Sequence, residues 1–150
     1  MNSMAIMHAR EYQSYKQTEI ETANPGKLLL LLYDGALKRL HRAKDGLEQG
    51  RLEETHQDLV RVQEILVELM LALDWNVGGD LASRLHSLYN FMYRRLVDAN
   101  IKQEPEAIGE VIRLLSTLRE GWEEAYRQLA GRGERATGRH QPPNKINVQG

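Results

Sequence analysis

The chain of 150 residues contains no cysteine. Disulfides, thiol nucleophiles and the common structural zinc sites, which are built on Cys, are therefore excluded. Aromatic residues make up only 6%, with a single Phe, and Pro occurs four times. No apolar run reaches the roughly 18 residues that a membrane span requires. The first residues include Arg10 and Lys16 but no apolar stretch of the signal-peptide kind. Excess charge of one sign is missing too: the net charge is −1, which argues against bulk attraction to nucleic acid or an anionic membrane. The expectation is a soluble protein retained in the cytoplasm, without nucleic-acid binding or membrane insertion.

What is present is apolar residues at helical spacing. With 41% hydrophobic and 27% charged residues in 17.2 kDa, one folded domain with a real core is expected. Asn24 is a good helix cap, and Pro25 suits the first turn, where its missing N–H is not needed. Leu28 to Leu32 then point around nearly the whole circumference of a helix, which must be covered on several sides. The first segment runs from about Pro25 to Gln49, with Leu30, Tyr33, Leu37, Leu40 and Leu47 on one seam and Gly50 as its stop. The second, about Arg51 to Asp74, places Leu52, Leu59, Val62, Leu66, Leu69 and Leu73 on one face; Trp75-Asn76-Val77-Gly78-Gly79 breaks it. Asp80 reads as the cap of a third segment ending near Asn100. Pro105 opens a fourth, where Ile108, Val111, Leu115, Leu118, Trp122, Ala125 and Leu129 keep steps of three and four. No strand alternation is convincing. Short connections favour an all-α, antiparallel four-helix bundle over residues 24–130. Residues 1–23 form an N-terminal arm and residues 131–150 a flexible tail. The tail's Arg132, Arg135, Arg139 and Lys145 face only Glu134, but without interleaved aromatics they do not read as a nucleic-acid site.

The strongest enzymatic pattern is Glu53-Glu54-Thr55-His56, an E-x-x-H spacing. Di-iron bundles need two such motifs with carboxylates from the other helices. His41 and His86 have Lys38 and Ser83 at the matching position, so the second motif fails and His56 reads as a solvated side chain. His8 and His140 fall in the two ends. No nucleophile elbow, P-loop or H-E-x-x-H string occurs, and Gly131-x-Gly133 opens no strand-turn-helix unit. The expectation is no enzyme, no metal and no cofactor. What remains is apolar surface. On the third segment Leu81, Leu85, Leu88, Met92 and Leu96 form a stripe that Tyr89, Tyr93 and Val97 widen. These side chains are either bundle core or a groove for an apolar partner segment, and Met92 suits both roles.

The ordered string Thr22-Ala23, Pro25-Gly26-Lys27 and Leu32-Tyr33-Asp34-Gly35-Ala36 resembles the start of the FliS family, secretion chaperones that hold flagellin before export. The likeness extends from about Tyr12 to Tyr126. It takes in Leu73-Asp74 with Gly78-Gly79 and Leu81-Ala82, then Leu88-Tyr89-Asn90-Phe91-Met92-Tyr93-Arg94-Arg95-Leu96 with Ala99-Asn100, and Trp122. The resemblance implies a helical bundle that binds the disordered C-terminal segment of flagellin, prevents its premature polymerisation and hands it to an export gate component. It leaves room for a homodimer. On that footing the expected groove is Leu30, Tyr33, Leu37, Leu85, Tyr89, Met92, Tyr93 and Leu96. Ile6, Met7, Tyr12 and Tyr15 on the arm are the expected lid. A bundle that binds a regulator of flagellar gene expression is the alternative.

Overall fold

The computed structural model describes residues 24–139, with side chains through residue 132. These residues form five helices and no strand: α1 Pro25–Glu48, α2 Leu52–Leu71, α3 Trp75–Gly78, α4 Asp80–Lys102 and α5 Pro105–Arg139. No described helix is long and apolar enough to cross a membrane. The chain divides into two compact units, Leu31–Leu118 on the one hand and Met1–Leu30 with Arg119–Gly150 on the other.

In the unit Leu31–Leu118, small residues let the helices approach and large ones fill the space between them. Tyr33, Ala36, Leu40 and Ala43 of α1 are all fully buried, a run of steps of three and four along one face. α2 supplies Leu59, Val62, Ile65, Leu66 and Leu69; α4 supplies Ala82, Leu85, Tyr89, Met92, Leu96 and Ala99; α5 supplies Ala107, Ile108, Val111 and Leu115. Each fully buried Leu contributes about 1.5–3 kcal/mol by leaving water. Helix direction follows from the cross-links. Arg42 bonds Asp58, while Ala43, further along α1, has its carbonyl 3.4 Å from the hydroxyl of Thr55, further back in α2. That is the pattern of antiparallel neighbours, joined here through Gly50 at φ 79°. Asn100 meets His56 across α4 and α2 at 2.7 Å, and Arg95 bonds Glu110 across α4 and α5 at 2.9 Å.

In the other unit, the start of α1 meets the far part of α5. The Asn24 side-chain oxygen accepts from the Lys27 N–H at 3.2 Å, as a cap should, and its amide donates to the Tyr126 hydroxyl at 2.9 Å.

Three boundaries differ from the sequence reading. The segment Trp75–Gly78 is a one-turn helix rather than a plain break. The Asp74 carboxylate accepts from the N–H groups of Asn76 and Val77, satisfying donors that the turn would otherwise leave open. Asp80 is consequently the first residue of α4, with Gly79 preceding it. α5 continues past Ala130 to Arg139. Glycine in a helix interior costs about 1 kcal/mol but forbids nothing, and no Pro intervenes before Pro142. The regular apolar rhythm of α5 also outruns its burial: Leu118 and Trp122 are half-buried, and Ala125 and Leu129 are exposed.

Candidate functional site

The residues expected to line a groove are mostly interior. Tyr33 and Met92 and Leu96 have no accessible surface, Tyr89 retains 2%, and Leu85 and Leu30 are buried as well. Leu37 and Tyr93 are half-buried at the flanks of their helices. On α4 the buried line passes through Ala82, Leu85, Tyr89, Met92, Leu96 and Ala99, so the widened apolar face turns its centre inward. The hydroxyls of Tyr33 and Tyr89 meet at 2.6 Å, which keeps two phenol groups hydrogen-bonded inside an apolar interior. Ile6, Met7, Tyr12 and Tyr15, the expected lid, lie outside the described residues.

Electrostatic contacts stitch the helices. Asp58 is buried on α2 and accepts from Arg42 through both carboxylate oxygens, at 2.9 and 2.6 Å, and from Arg39 at 3.3 Å. The hydrogen bond to that carboxylate raises the Arg42 guanidinium above its ordinary pKa. On α4–α5, the Arg95 guanidinium is raised by its hydrogen bond to Glu110. His56, the centre of the E-x-x-H pattern, pairs its Nδ1 with the Asn100 amide, and no group of three or more potential metal ligands occurs among the described residues.

Exposed large hydrophobics among the described residues include Leu31, Phe91 and Ile101, and four more gather in one short stretch. Leu71, Trp75, Val77 and Leu81 are all exposed around the turn from α2 to α4. Sequence reasoning placed Leu81 in an apolar stripe that was either core or groove, and treated Trp75 and Val77 only as part of a break. The signal for them was the presence of Trp and Val in a Gly-rich turn, where polar residues are the usual choice. Trp75 rests against the His86 ring, centroids 5.6 Å apart and planes tilted by 56°.

A family model described as Flagellar protein FliS matches residues 8–129. A flagellar secretion chaperone FliS of Bacillus subtilis is 36% identical over 122 residues, covering 81% of this chain and 89% of that protein. The flagellar secretion chaperone FliS of Salmonella typhimurium is 37% identical over 117 residues, covering 75% and 87%. Among solved structures, one described as a flagellar chaperone from bacteria superposes with a TM-score of 0.67 at 23% identity, covering 81% of this chain and 98% of the other. That likeness carries the helical fold.

Proposed function

Because the chain belongs to the FliS family of flagellar secretion chaperones, we propose that it is a cytoplasmic, non-enzymatic export chaperone that holds the C-terminal segment of flagellin. It would keep that segment from polymerising early and pass it to a component of the export gate. The observation that carries this reading is the match across residues 8–129, together with two relatives above 30% identity over three quarters or more of the chain.

The physics is consistent with such a role. A segment that orders only on binding loses conformational entropy, so its partner must offer a long contact that is already in place. A bundle whose interior is closed by Tyr33, Tyr89, Met92 and Leu96 is a firm support on which such a contact could be carried by other residues. In the same reading, residues 1–23 act as a tethered lid. Ile6, Met7, Tyr12 and Tyr15 compete for the cargo path at high effective concentration and protect it from self-association.

Pull-down with full-length flagellin and with flagellin lacking its C-terminal segment tests the reading. Capture should depend on that segment. Equal capture of both forms, or of neither, would refute it. Deleting residues 1–13 should promote oligomers and leave the grip on a cargo peptide unchanged or tighter; a monomer with lost affinity would make the arm a clamp instead.

A further inference from the structure

The outer face of α4 carries a charge pattern that is its own complement. The inward line of this helix is Ala82, Leu85, Tyr89, Met92, Leu96 and Ala99. The opposite line runs through Asp80, Arg84, Ser87, Phe91, Arg94 and Asp98, at alternating steps of four and three. All are exposed except Asp98, which is half-buried. Phe91 keeps 36% of its surface open there, although Met92 beside it already supplies the inward contact. Arg95 pairs with Asp98 and with Glu110, whereas Asp80, Arg84, Arg94 and Lys102 make no ion pair among the described residues. The helix dipole accounts for Asp80 in the first turn and Lys102 in the last. It gives no reason for Arg84, Arg94 or the open ring of Phe91.

Turned about a two-fold axis at Phe91, this face meets itself without conflict. In an antiparallel pairing Arg84 stands opposite Asp98 of the second copy, since each lies seven residues, about two helical turns, from Phe91. Asp80 and Lys102 each lie eleven residues, about three turns, from Phe91, and oppose one another in the same way. Ser87 meets Arg94, and the Phe91 ring meets its own copy. Asp98 holds Arg95 at 3.5 Å with 43% of its side chain open, and a carboxylate has sites enough to accept from a second guanidinium. Other arrangements fail. Parallel pairing sets each charge on its own copy, and antiparallel pairing slid by one turn sets Asp80 on Asp98 and Arg84 on Arg94. We propose that the outer face of α4 is the contact of a homodimer, in which two copies pair antiparallel through Arg84, Phe91 and Asp98. One exposed aromatic ring per copy makes the association weak and concentration-dependent rather than obligate. The contact involves no cargo, so it stands or falls apart from the chaperone reading.

Sedimentation of the full chain from about 1 μM to about 1 mM tests this. A monomer–dimer equilibrium should appear at low salt and weaken as salt is raised. Arg84→Asp and Asp98→Arg should each raise the dissociation constant about tenfold or more, because every dimer contains the contact twice. Mixed in equal amounts, the two variants should associate again, since each supplies the charge that the other has lost. The double variant Arg84→Asp/Asp98→Arg should likewise recover self-association. Circular dichroism melts confirm that each variant is folded. Arg84→Gln, which removes the charge without reversing it, should weaken the dimer by a smaller factor and serves where a reversal disturbs folding. A chain that stays monomeric throughout overturns the proposal, as does a dimer that no change at Arg84 or Asp98 weakens. So does failure of the mixed variants to associate while both are folded. If the chain is monomeric and Arg84→Asp instead loses its grip on a flagellin peptide, the face belongs to cargo and the homodimer is wrong.

Discussion

The hydroxyl of Tyr33 on α1 lies 2.6 Å from that of Tyr89 on α4, and both rings are shut away from solvent. Removing either hydroxyl takes away this bond. Tyr33→Phe and Tyr89→Phe should each lower stability by about 0.5–1.5 kcal/mol. The double Phe variant should lose less than the two together, because the shared bond is lost only once. Denaturant melts of the four proteins give the coupling. Strict additivity would mean that the two hydroxyls do not act as a pair.

Met92 shares that interior, with no accessible surface. Met92→Glu would bury a carboxylate without a built partner and should unfold the bundle or leave it only marginally stable. Phe91, its neighbour in sequence, keeps 36% of its surface open, and Phe91→Glu should cost far less than Met92→Glu, about 1–2 kcal/mol or below. Circular dichroism melts of the two variants compare directly. A folded Met92→Glu protein with a normal melt would return Met92 to an open groove.

The contrast between Met92 and Leu81 shows where reading from sequence succeeds and stops. Four long helices are legible because apolar residues recur at helical steps over many turns, and because Pro25, Gly50 and Pro105 mark ends by simple backbone chemistry. The inward line of α4 is harder to read. Ala82 and Ala99 are buried and Leu81 is exposed, since close helix approach selects small residues and hydrophobicity alone does not rank positions on a wide face. α3 escaped notice for a different reason: it exists through one side-chain cap at Asp74, in a stretch whose glycines suggest only a turn. The open apolar turn is thus the part of the candidate site that needed coordinates, and the lid residues on the arm lie outside the described residues.

Asp58 should be the most sensitive charged position. It is buried at 4% exposure and takes bonds from Arg42 and Arg39. Asp58→Ala removes every one of those bonds. The arginines stay partly in water, so the loss should be about 1–3 kcal/mol rather than the larger cost of stranding a fully buried charge. Arg42→Ala should cost less, because Arg39 still reaches the carboxylate. Chemical denaturation would show the order, and a larger loss for Arg42→Ala would mean that the Arg42 stem matters by packing rather than by charge.

Asn24 has two separable roles. Asn24→Ala removes the Lys27 cap and the bond to Tyr126, and should cost about 1 kcal/mol or somewhat more. Tyr126→Phe keeps the cap and loses only a part-buried hydrogen bond, so it should cost under about 1 kcal/mol. If Tyr126→Phe proves the more damaging in thermal melts, the amide bond rather than the cap is what secures the start of α1.

Gly46 offers the sharpest packing test, because helix propensity and packing predict opposite signs. Replacing a glycine inside a helix by Ala normally gains about 1 kcal/mol. Gly46 is buried in α1, however, and a Cβ placed there would come within 2.5 Å of the Thr55 Oγ1 and 3.4 Å of the Arg51 carbonyl oxygen. Thr55 cannot simply swing away, since it is itself buried and donates to the Arg51 carbonyl at 2.8 Å. Overpacking of this kind costs about 1–3 kcal/mol, so Gly46→Ala should destabilise the protein on balance. Thr55→Ala alone should also destabilise, through the lost hydrogen bond and the space it vacates. Combined, the two changes should relieve each other: the new methyl enters the volume that the hydroxyl has left. The double variant should therefore be more stable than the sum of the single losses predicts, with a coupling that exceeds the usual additivity error of about 0.5 kcal/mol. A Gly46→Ala protein that melts higher than the original would mean that α1 and α2 do not approach this closely in solution.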